Sequence, residues 1–157
     1  MTMKKLLVIL LCCGFDNFAK AISEADLASS AQAWSGPKVD LSVDGQPLHV
    51  GGERFERGIG THALSEIPLS VPEDALRLKG KVGVDDEVGK ARGSVVFRIL
   101  SGNTILWESP VMKAGMKALA FDLAVPASRY RKLYLQADQV EHNEYDHADW
   151  LELEWTR

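Results

Sequence analysis

From about residue 38 onward, apolar side chains recur at every second position in short runs, broken by glycine, proline, asparagine and aspartate. A period of two sends alternate side chains to opposite faces of an extended chain, the signature of half-buried strands. Residues 75–84 read ALRLKGKVGV, with leucine and valine on one face and arginine and lysine on the other, and residues 149–156 read DWLELEWT. The same reasoning predicts strands over 39–43, 47–50, 55–60, 65–71, 93–100, 104–108, 118–125 and 130–137. Asp44-Gly45 is a favoured hairpin turn closing 39–43, and Ser101-Gly102-Asn103 has hairpin length between 93–100 and 104–108. The runs 118–125 and 130–137 read as a further pair joined through Pro126. Many short strands and no long helical period predict an all-β domain, a sandwich or a barrel, which alternation alone does not separate.

The first residues follow another pattern. Lys4 and Lys5 precede an apolar run from Leu6 to Phe15, and Ala19-Lys20-Ala21 puts small residues at the −3 and −1 positions of a cleavage site. That is the pattern of a secretory signal peptide over residues 1–21. The run is about half the 20 apolar residues that a spanning helix needs. Residues 22–33 read as a flexible mature N-terminus with at most one short helix, and the packed domain is expected over 34–157, starting at Trp34. The protein is thus expected to be exported, to the periplasm or the cell exterior.

Composition narrows the partners. Both cysteines, Cys12 and Cys13, lie inside the removable segment, so the domain has to be stable through its core without a disulfide. Cleavage after Ala21 takes 18 basic and 22 acidic side chains to 15 and 21, a net charge of −6. An acidic domain without a basic stripe argues against nucleic acid and against an anionic membrane surface.

Three segments are polar or glycine-rich where a core needs neither: Gly58-Ile59-Gly60-Thr61-His62-Ala63-Leu64-Ser65; Val82-Gly83-Val84-Asp85-Asp86, followed by Gly93-Ser94-Val95-Val96-Phe97; and Asp146-His147-Ala148-Asp149-Trp150. In this order and spacing they resemble the NPCBM family, the novel putative carbohydrate-binding modules related to galactose-binding modules of glycoside hydrolases. The resemblance runs from about Trp34 to Arg157. It implies a jelly-roll-like β-sandwich that binds a terminal sugar, often galactose, through loops at one end. Members of the family are usually attached to a catalytic domain, and none lies within this sequence.

A sugar offers hydroxyls that donate and accept, and leaving one buried and unmatched costs about 1–3 kcal/mol. A sugar site therefore mixes carboxylates, amides and imidazoles with an aromatic ring for the C–H face. His62 and Asp149 are the favoured hydrogen-bonding groups, with Asp85, Asp86 and Trp150 as further ligand contacts. Each has a competing structural reading. His62 can tie its own loop to a backbone carbonyl, Trp150 can belong to the core, and Asp85 or Asp86 can close a turn by accepting from the backbone two residues on. Because Asp149 and Trp150 are adjacent in a strand, only one of them is expected to face a given pocket. Gly58, Gly60 and Gly83 are expected at turns or bulges.

No cofactor is expected. A structural calcium is the alternative, on the acidic stretch Asp138, Glu141, Asn143, Glu144, Asp146 and Asp149, although the spacing fits no EF-hand. His142 and His147 form a weaker zinc pattern. A glycoside hydrolase would need two facing carboxylates, for which Asp85, Asp86, Asp146 and Asp149 are candidates. A serine triad would draw on Ser65 or Ser94 with His62 or His147, but no nucleophile motif is present. A non-catalytic carbohydrate-binding module is the favoured reading, ahead of a protein-binding adhesion domain and a small hydrolase.

Overall fold

The computed structural model of the chain describes residues 24–32, 35–127, 131–142 and 144–157. The expected signal peptide with both cysteines, Trp34 at the expected domain boundary, Tyr130 and Asn143 lie outside them.

The described chain begins with a helical turn, α1 (Glu24–Ala28), and continues through strands β1 (Ala31–Gln32), β2 (Lys38–Val39), β3 (Leu48–Val50), β4 (Glu53–Phe55), β5 (Gly58–His62) and β6 (Ser65–Ser70). Strand β7 (Arg77–Val84) leads into a 3-10 turn (Asp86–Val88), followed by β8 (Val95–Ser101), β9 (Thr104–Glu108), β10 (Leu119–Ala124), β11 (Lys132–Gln139) and β12 (His147–Thr156). Ten of these strands form two five-stranded sheets, ordered β1-β6-β11-β8-β9 and β10-β7-β12-β5-β2, while β3 and β4 pair with each other. All described pairings are antiparallel. From β5 to β12 the chain passes repeatedly from one sheet to the other, as in a jelly roll, so the fold is the expected all-β sandwich.

The alternation places strands well and partners less well. The 93–100 and 104–108 runs form the expected hairpin β8–β9. The expected pair 118–125 and 130–137 is split: β10 pairs with β7 in one sheet, and β11 lies between β6 and β8 in the other. Amphipathic alternation shows which face of a strand is buried but not which strand lies beside it, and both strands present an apolar face to the same core. Asp44-Gly45 also does not join two paired strands. Gly45 N–H donates to Ser42 O at 2.9 Å in a turn within the loop, while β2 pairs with β5. The single strand expected over 55–60 is two, β4 and β5, parted at Glu56-Arg57.

The sheets bury Ile67, Leu69, Val82, Val84, Phe97, Ile99, Leu135 and Trp150 between them. Trp150 meets Phe97 edge-on at 5.2 Å between ring centroids and Phe121 at 6.3 Å. A second cluster, Leu48, Val50, Phe55 and Leu151, holds the β3–β4 hairpin against the outer face of the second sheet. This cover explains two glycines. A Cβ on Gly83 would lie 2.2 Å from Val50 Cγ1, and one on Gly60 would lie 2.4 Å from Leu41 O. Both are within strands rather than at the expected turns or bulges, and they let the 41–50 segment approach the sheet. The segment expected to be flexible contributes packing in its described part: Leu27 rests on the core, Asp26 accepts from Ser70 Oγ at 2.9 Å, and β1 extends β6. Among the described residues no helix is long and apolar enough to cross a membrane.

Candidate functional site

The three motif segments meet at one end of the sandwich because β5, β7 and β12 are neighbours in one sheet. His62 and His147 face each other across β5 and β12, with ring centroids 5.5 Å apart. Asp85 N–H donates to His147 O at 2.9 Å, and Ala63 N–H to Asp146 O at 3.0 Å. Ser94 N–H donates to Asp146 Oδ1 at 2.7 Å, so the start of β8 is tied to the same corner. Burial raises the Asp146 carboxyl above its ordinary value, opposed by the Ser94 hydrogen bond and by the charges of His62 and His147.

Most of the side chains expected to touch a ligand are spent inside this frame. His62 is 7% exposed, with Nδ1 2.5 Å from Ala63 O, which is the loop-tying alternative. Trp150 is fully buried in the core, and Asp149 is fully buried on the opposite face of the same strand. As expected of adjacent strand residues, the two point to opposite faces, and both are enclosed because β12 is covered on both sides, by the other sheet and by the β3–β4 hairpin. Asp85 closes the turn as the alternative reading has it, accepting from Glu87 N–H at 2.9 Å, and also accepts from His49 N–H at 3.2 Å. Asp86 accepts from the backbone N–H groups of Gly51 at 3.2 Å, Gly52 at 2.7 Å and Gly115 at 3.2 Å. These two carboxylates therefore pin the cover and the 112–116 loop to the end of β7.

Asp149 is electrostatically unusual. Neither of its buried oxygens meets an N–H or O–H donor, and Asp85 is the side chain within hydrogen-bonding reach. Burial pushes its carboxyl well above the ordinary value, and the Asp85 carboxylate, with Glu87 and Asp86 beyond it, pushes further in the same direction. Two carboxyl groups can share a hydrogen bond only when one holds a proton.

A smaller polar set lies beside this pair. His147 Nδ1 is 2.7 Å from Glu87 Oε1, whose other oxygen accepts from Ser42 Oγ at 2.8 Å. Asp44, Glu87 and His147 bring one ligand atom each within 4.8 Å of one another. That set falls short of the six to eight oxygens calcium prefers. It also differs from the acidic stretch read as a possible calcium loop, in which Asp138 is paired with Arg98 at 2.8 Å and Asp149 is shut in. The carboxylates named for a hydrolase are likewise buried or occupied by backbone N–H groups, Ser65 is 2% exposed, and Ser94 Oγ accepts from Glu141 N–H at 3.2 Å.

An open groove of about 190 Å³ adjoins the frame, lined by residues 91–94 with Lys113, Glu141, His142, Glu144 and Tyr145. Its walls are laced by Val140 N–H to Ser94 O at 3.0 Å and by Ala114 N–H to Arg92 O at 2.9 Å. Arg92 lies over the Tyr145 ring, 4.8 Å from its centroid. Of these residues, sequence reasoning singled out Glu141, Glu144 and His142 only as metal candidates, and it missed Arg92 and Tyr145. They belong to separated loops with no periodicity, and the only signal available was an aromatic residue inside a polar stretch.

Comparison with known proteins sets this geometry in context. The chain is 44% identical over 141 residues to alpha-1,3-galactosidase B of Akkermansia muciniphila, a match covering 88% of this chain and 18% of that protein's length. It superposes on the CBM51-2 of Clostridium perfringens ZmpB, solved with GlcNAc, with a TM-score of 0.73 and 25% identity over 81% of this chain and 29% of that one. It also superposes on the CBM51 of Clostridium perfringens GH95, solved with methyl-galactose, with a TM-score of 0.72 and 24% identity over 82% of this chain and 92% of that one. Residues 19–156 match the NPCBM/NEW2 domain, and the chain belongs to that family.

Proposed function

We propose that this chain is a non-catalytic carbohydrate-binding module of an exported protein, recognising a galactose-type glycan through the loop end of the sandwich. The observation that carries this reading is the convergence of the three motif segments on one rigid end, with backbone hydrogen bonds joining Asp85, His147, Asp146 and Ala63. Such an end can hold surface groups in fixed positions, which is what matching several sugar hydroxyls at once demands. The related modules solved with methyl-galactose and with GlcNAc support the same class of ligand. In this reading Asp85, Asp86 and Asp149 are the frame behind the sugar site, and His62 sets the corner next to it. A hydrolytic role finds no support in carboxylates that are buried or already accept from backbone N–H groups.

The test is a glycan array probed with the purified protein, followed by incubation of any bound glycan with the protein. Retention of galactose-terminated glycans without release of sugar is the expected result. Release of free sugar would instead identify a hydrolase, and no retention on any glycan would overturn the module reading in favour of a protein-binding domain.

A further inference from the structure

We infer that the sugar-contacting surface of this chain is the groove formed by Arg92, Lys113, Glu141, Glu144 and Tyr145, and that its occupant is a single neutral sugar unit. The inference rests on the carbohydrate-binding reading above and moves the contacts from His62, Asp85, Asp149 and Trp150, which the fold encloses, to side chains beside the motif segments.

About 190 Å³ is less than the roughly 300 Å³ at which pockets for drug-sized ligands begin. The space accepts one pyranose ring and leaves the remainder of a glycan in solvent. Tyr145 supplies the apolar surface. Its ring belongs to a residue 45% exposed, and its backbone is held at φ 65°, a left-handed conformation that a bulky aromatic residue rarely adopts. The neighbours enforce that conformation: Tyr145 O is so close to Gly93 that an added Cβ would fall 2.6 Å from it, and the next residue, Asp146, is locked to Ser94. The loop thus holds an aromatic ring in solvent beside a polar groove. Arg92 stacks on that ring and its Nη1–H donates to Val88 O at 3.5 Å, which holds the guanidinium beside the groove.

Charge gives the ligand class. Arg92 and Lys113 balance Glu141 and Glu144, and Lys113 Nζ is 3.9 Å from Glu141 Oε2. Guanidinium and ammonium groups donate to ring and hydroxyl oxygens, and carboxylates accept from hydroxyl protons. With the formal charges cancelled, the groove offers no net attraction to a sulfated or sialylated sugar, and it suits one with adjacent free hydroxyls.

The experiment is isothermal titration of the full chain and its variants with methyl β-galactoside and with N-acetylglucosamine, alongside a glycan array. Tyr145→Ala and Arg92→Ala change exposed side chains, so their melting temperatures should match that of the unaltered protein. Their affinity for the sugar that binds should fall by about tenfold or more. Leu64→Ala, an exposed apolar residue at the neighbouring corner, should bind unchanged. Unaltered binding by both groove variants, with the parent protein still retaining neutral glycans, would overturn the groove and leave the module reading intact. Failure of the parent protein to bind any glycan would overturn both. Preference for sialylated or sulfated glycans would overturn the neutral class.

Discussion

Asp149 lies between Ala148 and Trp150 on β12, and its side chain points away from the core those two residues join, toward Asp85, Asp86 and Glu87. The unfolded chain releases the Asp149 proton in the ordinary aspartate range, near about pH 3.9. The folded chain retains it well above that range, because burial and the Asp85 carboxylate both oppose a second negative charge. The pair's contribution to stability is therefore full below the ordinary range. It is lost as pH rises from there through the raised folded value, each unit of elevation being worth about 1.4 kcal/mol. Asp149→Asn replaces the titrating acid with an amide that donates to Asp85 at every pH. Urea unfolding between pH 4 and 8 should show the variant gaining on the parent protein as pH rises, then a constant difference once the folded group has titrated. Asp146, also raised by burial, is common to both proteins and cancels in the difference. Parallel curves across the whole range would mean that Asp149 ionises as an ordinary aspartate.

At the scale of elements, the β3–β4 hairpin is too short to be stable alone, with three residues in each strand. It is held by the Leu48, Val50, Phe55 and Leu151 cluster and by backbone N–H groups of His49, Gly51 and Gly52 donating to Asp85 and Asp86. Its seat is Gly83, where any side chain meets Val50. Gly83→Ala should therefore destabilise the protein by about 1–3 kcal/mol, the usual cost of overpacking. Val50→Ala in the same chain vacates that space, so the double variant should lose less than the sum of the two single losses. Additive losses in denaturant titrations would show that the hairpin does not bear on β7. The VGV motif is visible in the sequence, yet a strand glycine reads the same whether it marks a bulge or a close approach. The residue that decides between them, Val50, lies far away along the chain. The burial of Asp149 was hidden in the sequence for the same reason, since the cover that encloses it comes from residues 48–55.

For the molecule as a whole, the sequence was most informative about what repeats and least about what converges. Alternation located nearly every strand of the sandwich, and three short motifs pointed to the correct family and to one end of the fold. The groove was hidden because Arg92, Lys113 and Tyr145 come from three loops that only the completed sandwich brings together. That assembly also sets the polarity of the molecule. Strand β12 begins at His147 beside the groove and ends at Thr156, whose carbonyl accepts from Leu76 N–H at 2.9 Å, next to the Arg157–Asp74 ion pair. Ten extended residues span about 30 Å, so whatever is joined after Arg157 stands off from the sugar by the length of the sandwich. A fluorescent protein fused after Arg157 should leave galactoside affinity within about twofold of the parent, whereas four glycines inserted between Glu141 and His142 should lower it by about tenfold or more without unfolding the sheets. Titration calorimetry with circular dichroism as the folding control distinguishes the outcomes. Weakening by the fusion, with the insertion harmless, would put the sugar at the Arg157 pole and reverse the polarity argued from β12.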